Sequence, residues 1–321
     1  MNHKAKHYLV VFFKYALFWA CLYVIYIYLL EFDINFSFLM LFLASKSFTE
    51  LILILTLLIT LSYSNWFFEA LKWSKLVNTI QPTSLKLSLR ISLIGHALSI
   101  ITPAKVGDFM AKVYAHNNTK YIIFLNFFHQ YAQLLVTLIV GGFFILYFAE
   151  LKWFFTQIQL PNYLLYLIFS FGFISLIVAY WLKRKLFFSI SNWLKNNFKI
   201  AFEVQIYSFF KYFSFSLQYL FLLLLFDVGI NFFILYGTIS IVYLLSSLIP
   251  TNFIADVGVK TTWGLILFGH FGIDAGIVVF VSFGMWVLNF AIPGILGSLL
   301  ILKSKLKLST SVNHNQWSSF L

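Results

Sequence analysis

The sequence predicts an all-α, polytopic integral membrane protein of about seven to eight membrane-embedded helices, with two broken helix pairs arranged as inverted repeats. Three observations carry this. Of 321 residues, 61% are apolar and only 10% are charged, against about 25% charged in a soluble domain. Several apolar runs reach the roughly 18 residues that span a hydrocarbon core. Those runs do not alternate apolar and polar residues as barrel strands do. Backbone groups in lipid must pair within their own segment, so the runs are helices.

Taken in order, residues 8–30 form a first span, closed by Glu31 and Asp33. Lys4, Lys6 and Lys14 precede or enter it. Its length and lack of a small-residue cleavage site read as an uncleaved span rather than a signal peptide. Residues 36–44 are too short to cross and lie at the interface. Residues 51–68 form the second span, followed by Lys72, Lys75, Lys86 and Arg90. Residues 87–101 are apolar and break at Thr102-Pro103, and a short stretch at 106–114 follows. Residues 122–148 and 163–182 are full spans. Residues 186–202 place Phe187, Ile190, Leu194, Phe198 and Ala201 at helical spacing, the pattern of an amphipathic surface helix. Residues 206–226 span again. Residues 232–249 run into Pro250, and 253–271 follow, either as a re-entrant pair or as two spans. The last span, 277–302, contains Pro293, and the tail at 308–321 is loose.

The whole chain, 1–321, reads as one transmembrane domain with half-repeats at about 48–149 and 206–302. It carries 22 Lys and Arg against 10 Asp and Glu, a net charge of +12. Basic clusters at 183–199, around 105–120 and after 302, with acids at the opposite ends, place both termini in the cytoplasm. The bases are nearly all lysine, which lacks the planar fork used to read nucleic acid, so no nucleic-acid partner is expected. They suit anionic lipid instead, at a plasma (bacterial inner) membrane. Cys21 stands alone, so no intrachain disulfide and no cysteine metal site form.

Two breaks share a pattern. Pro103-Ala104-Lys105-Val106-Gly107-Asp108 precedes Lys112, and Pro250 precedes Asp256-Val257-Gly258-Val259-Lys260. Proline cannot donate a backbone hydrogen bond and disfavours helix at the residue before it. Glycine lets the chain turn or approach closely. Paired breaks in corresponding halves point to a transporter's central site. The plain alternative is that both prolines merely end helices at loops. Charge within apolar sequence argues for function. Lys105, Lys112 and Lys260 suit a lipid phosphate as point charges, or they snorkel as loop lysines. Asp108 and Asp256 pair with those lysines, or cap helices.

At these residues the chain resembles the flippase-like membrane family that includes the transmembrane region of lysylphosphatidylglycerol synthases. Members show a proline, a short stretch, then Gly-Glu and a base in the first half. Here that is Pro103 to Gly107-Asp108 and Lys112. In the second half they show a proline and a Gly-Val-Arg-Glu turn, matched here by Pro250 and Gly258-Val259-Lys260-Thr261. The likeness covers about residues 50 to 300. It departs at Lys260, which loses the arginine fork, and at Thr261, where the acid is absent. Where relatives carry a Glu-Arg pair in the next helix, this chain has Asn126, His129, Gln130 and Gln133. The resemblance implies handling of a lipid head group without the soluble aminoacyl-transferase part.

The favoured reading is therefore a lipid or lipid-linked head-group flippase that binds an anionic head at Pro103, Lys105, Gly107, Asp108 and Lys112 and at Pro250, Asp256, Gly258 and Lys260. The alternative is a non-catalytic accessory subunit of a separate lipid-modifying glycosyl- or aminoacyl-transferase. No catalytic motif, cofactor site or metal cluster stands out. His129 and Gln133, at helical spacing, are expected to hydrogen-bond a neighbouring helix. Glu69 with Lys72 or Trp73 reads as local support at the end of a span. The inverted arrangement makes a topological prediction. A Pro250→Cys chain in a Cys21→Ser background should react with an impermeant maleimide added outside intact cells. Labelling only from the cytoplasmic side removes the inverted pair.

Overall fold

The computed structural model describes residues 44–102, 106–116, 119–147, 193–226, 228–249 and 255–303, together with Phe12, Trp19 and Tyr23. These residues are helical throughout apart from short turns, and they contain no strand. The rest of the first span, the span at 163–182, the prolines at 103 and 250, Lys105 and the C-terminal tail lie outside them.

Helix α1 is Phe48–Val77. It starts with a capping box: the Ser47 hydroxyl accepts from the Glu50 N–H, and the Glu50 carboxylate accepts from the Ser47 N–H, which satisfies two end donors. Helix α2, Leu85–Ile101, starts at Ser84, whose hydroxyl accepts from the Leu87 N–H. It stops at Thr102, whose backbone is extended (φ −109°, ψ 141°), as the following proline requires. Helix α3 is Val106–Tyr114, α4 is Thr119–Tyr147 and α5 is Phe198–Leu224. Helix α6, Phe232–Ser247, is capped by Asn231, and α7 is Ala255–His270. Gly272, at φ 74°, ends α7 in a left-handed turn. Its N–H reaches the Gly269 carbonyl and the Ile273 N–H reaches the Phe268 carbonyl, the pairing of a Schellman cap. Helix α8, Ala275–Trp286, begins under the Asp274 cap. A π-turn at Val287–Ala291 joins it to α9, Ile292–Lys303.

Three helices are long and apolar enough to cross a membrane among the described residues: Phe48–Val77, Tyr121–Tyr147 and Ala275–Lys303. This is the architecture of a membrane protein. Helix α5 matches them in length but carries Lys199, Glu203 and Lys211. It therefore needs protein on one side rather than lipid all round. The amphipathic pattern at 186–202 runs straight into it. Trp193–Asn196 forms one helical turn, and Phe198–Phe202 are the opening turns of α5.

Helices α6 and α7 have 16 residues each, a rise of about 24 Å against a core of about 30 Å. Each falls short of that thickness even when upright. The two broken pairs differ in length, however. Helix α3 has 9 residues where α7 has 16.

The bundle is held by close backbone contacts. Helices α1 and α5 run antiparallel along most of their length, and α2 packs on both α3 and α9. Gly107 lies against the Leu98 and Ser99 backbone, and Gly297 lies against the Leu93 carbonyl. A Cβ at either position would occupy the space of another helix's main chain. The apolar residues divide into three clusters. One joins α1, α4, α5, α6, α7 and α8; one joins α2, α3, the start of α7 and the α8–α9 helix; one joins the end of α1 to α4 and α5.

The π-turn has an identifiable cause. Pro293 has no N–H to give the Asn289 carbonyl, and its ring crowds that carbonyl. The wider turn absorbs this, with the Ile292 N–H reaching back five residues to the Val287 carbonyl.

Gly107→Ala should cost about 3 kcal/mol of stability, at the upper end for overpacking. Gly142→Ala, where an added Cβ meets nothing within 4 Å, should cost nothing. Thermal unfolding of the two variants in detergent checks the contrast.

Candidate functional site

The inward face of α1 carries Ser62, Asn65, Glu69 and Lys72, all buried. Their spacing of three, four and three residues stacks them on one side of a helix. Across from them, α5 presents Gln218, Lys211 and Glu203 in the reverse order. Gln218 Nε2 donates to Ser62 Oγ at 2.7 Å, Lys211 Nζ meets Glu69 Oε2 at 2.5 Å, and Lys75 Nζ meets Glu203 Oε2 at 2.7 Å. Three cross-helix pairs in one register make a polar seam between antiparallel helices.

Glu69 is the centre of that seam. Besides Lys211, its carboxylate has Lys72 Nζ at 3.9 Å, Lys112 Nζ at 4.0 Å and His129 Nε2 at 3.6 Å. His129 Nε2 also lies 3.4 Å from the Glu69 carbonyl oxygen. Lys112 reaches the seam from α3, where it pairs with Asp108 at 2.7 Å across one helical turn. Gln130 on α4 donates to the same Asp108 oxygen at 3.3 Å. Lys72 donates to Gln133 Oε1 at 3.3 Å, and Lys112 stands over the Trp73 ring at 5.0 Å. The Lys72 and Lys112 side chains are fully buried.

Charge does not balance here. Among the described residues, Lys72, Lys112 and Lys211 share Glu69 and Asp108, three lysines to two acids. Buried charge in excess of its partners is costly. Hydrogen-bond donors are also left over. Trp73 Nε1 and Gln133 Nε2 are buried with no acceptor among the described residues. His116, in the turn after α3, packs on Trp73. Burial pushes its pKa down to about 4, so it adds no charge at neutral pH. The lysine excess and the unmatched donors leave this cluster short of acceptors among the described residues.

No family model, characterised protein or solved structure matches this chain. The geometry therefore carries the argument alone.

The structure distributes the sequence-predicted residues unevenly. Asp108 and Lys112 enter the cluster. Gly107 serves packing, and its N–H donates to Thr102 Oγ1 at 2.8 Å. The Asp108 N–H donates to Ser99 Oγ at 2.9 Å, so α2 side chains satisfy two first-turn donors of α3. At the second break Lys260 pairs with Asp256 at 2.6 Å and lies 5.5 Å from the Tyr243 ring and 5.4 Å from the Phe290 ring. This is a lysine held by a carboxylate and aromatic faces. Gly258 is exposed, and an added Cβ there meets nothing within 4 Å. The helices that flank the two breaks are neighbours. Phe290 touches both Lys260 and, at 6.1 Å between rings, His96 of α2. Val257 of α7 packs in the same cluster as Ile100 and Ala111. Pro103, Lys105 and Pro250 fall outside the described residues.

Glu69 and Lys211 are the functional candidates that the sequence reading missed. The expectation of local support for Glu69 is too small a role, because it joins α1, α3, α4 and α5. A signal existed: four polar residues at helical spacing on one face of an otherwise apolar segment. His129 and Gln133 do bond a neighbouring helix, both onto α1.

Glu69→Gln should cost about 3–5 kcal/mol, because it strands buried lysines. Adding Lys211→Met should recover part of that loss. Lys75→Met, at the exposed end of the seam, should cost under about 1 kcal/mol. Chemical or thermal unfolding of the detergent-solubilised chain reads all three.

Proposed function

We propose that this chain is a membrane carrier for a lipid, binding an anionic head group at the Lys72, Lys112 and Lys211 cluster and passing it between leaflets. One observation carries the reading: among the described residues, three lysines and two acids meet where α1, α3, α4 and α5 come together. An anion that enters there completes the charge balance and meets the Gln133 and Trp73 donors. The tails of such a lipid stay in the bilayer while the head follows the seam between α1 and α5. Lys260 and Asp256, linked to α2 through Phe290 and His96, form a second polar station.

The resemblance to flippase-like proteins at the two broken segments agrees with this reading. So does the lysine excess of the chain, which suits a bacterial inner membrane with both termini cytoplasmic.

Purified chain reconstituted in liposomes should equilibrate a tail-labelled anionic lipid between leaflets, read by quenching of the outer leaflet. Lys72→Gln and Lys211→Gln should lower the rate about tenfold or more, and Lys260→Ala should lower it less. A rate equal to that of protein-free vesicles rejects the proposal for that lipid.

A further inference from the structure

One turn of α1 beyond Glu69, a row of buried amides crosses the bundle. Gln218 Nε2 donates to the Leu58 carbonyl at 3.2 Å. A carbonyl only accepts, so this contact fixes which end of the Gln218 amide is nitrogen. Its Oε1 then accepts from Asn289 Nδ2 at 2.7 Å. Asn289 Nδ2 also donates to the Met285 carbonyl at 3.1 Å, which fixes the second amide in the same sense. Asn289 Oδ1 accepts from Asn65 Nδ2 at 2.8 Å. The row is thus directional, and it ends on Asn65 Oδ1. That oxygen is buried and finds no donor among the described residues. Asn65 is 8% exposed, Gln218 is fully buried and Asn289 is 6% exposed. Flipping Asn65 does not relieve the mismatch, because it would set two oxygens face to face.

A buried acceptor without a donor is costly in apolar surroundings. It lies about 6 Å along the helix axis from Glu69, four residues at the α-helical rise. The lysine cluster therefore has an anion-seeking centre and, one turn away, an oxygen seeking a hydrogen-bond donor. An ammonium donor is disfavoured there, since lysines already outnumber carboxylates in the adjoining cluster. A neutral hydroxyl is not.

We infer that Asn65 Oδ1 is the acceptor for a head-group hydroxyl, so that the carried lipid is a phosphodiester with a hydroxylated head. This rests on the carrier reading above and narrows its substrate class. The phosphate sits among Lys72, Lys112 and Lys211, and the hydroxyl donates to Asn65. Both groups are buried in this structure, so the ligand meets them when α1 and α5 part along the seam. The π-turn that supplies Asn289 places the third member of the row beside them.

The test compares two lipids of equal charge in liposomes containing the full chain: tail-labelled phosphatidylglycerol, which has head-group hydroxyls, and phosphatidylmethanol, which has none. The wild-type chain should move the first about three- to tenfold faster, the worth of one neutral hydrogen bond. In Asn65→Ala the two lipids should move at the same rate as each other, so that the preference for phosphatidylglycerol is lost. Equal wild-type rates, with Lys72→Gln slowing both lipids, overturn the hydroxyl site and leave the carrier standing. Retention of the preference in Asn65→Ala overturns the assignment to Asn65. No movement of either lipid by the wild-type chain overturns the carrier and this inference together. The wild-type comparison decides without any variant.

Discussion

The constraint on which this structure depends is the burial of one carboxylate among three ammonium groups. Glu69 is the point where α1, α3, α4 and α5 meet in charge as well as in shape. In a low-dielectric interior neither sign tolerates isolation, so each helix is tied to the others through this group. The neighbouring pairs follow from it. With Lys211 opposite Glu69, antiparallel packing sets Ser62 opposite Gln218 and Lys75 opposite Glu203. The contact that sets the helix register thus also gathers lysines from three helices around one acid.

Proline acts twice in this fold, with different results. Before Pro103 the chain turns extended at Thr102, and α2 and α3 become two short helices packed back to back. At Pro293 the helix continues, because the turn widens instead of breaking. The difference lies in what surrounds each residue. Around Thr102 the hydroxyls of Ser99 and Thr102 receive the freed N–H groups of α3. Around Pro293 the Asn289 side chain bonds to the Met285 carbonyl and to Gln218.

Much of the architecture is readable from the chain. Long apolar runs without alternation announce helices in lipid, and Ser47, Ser84 and Asp274 mark helix starts by ordinary capping chemistry. Asp108 and Lys112 stand out because a charge pair between apolar stretches is expensive. Glu69 was harder. Trp66 and Trp73 flank it, and tryptophan favours the interface, so the span reads as ending at 68 while the helix continues to Val77. Lys211 hides for another reason: a lone lysine in a long helix gains meaning only once its partner's position is known. The register of α1 against α5 is a tertiary property, set by side chains more than a hundred residues apart. The amide row depends on it in the same way, since Asn65, Gln218 and Asn289 belong to separate segments.

The α2–α3 hairpin has a mechanical consequence. Its two arms touch main chain to main chain at Gly107, and two side-chain bonds from Ser99 and Thr102 staple its tip. Such an object has little internal give and travels as a single lever. Asp108 and Lys112 are bolted to it, whereas Glu69 and Lys211 belong to the seam. A displacement of the hairpin would therefore carry the Asp108–Lys112 pair past Glu69 and Lys211 and change the electric field at the bundle's centre.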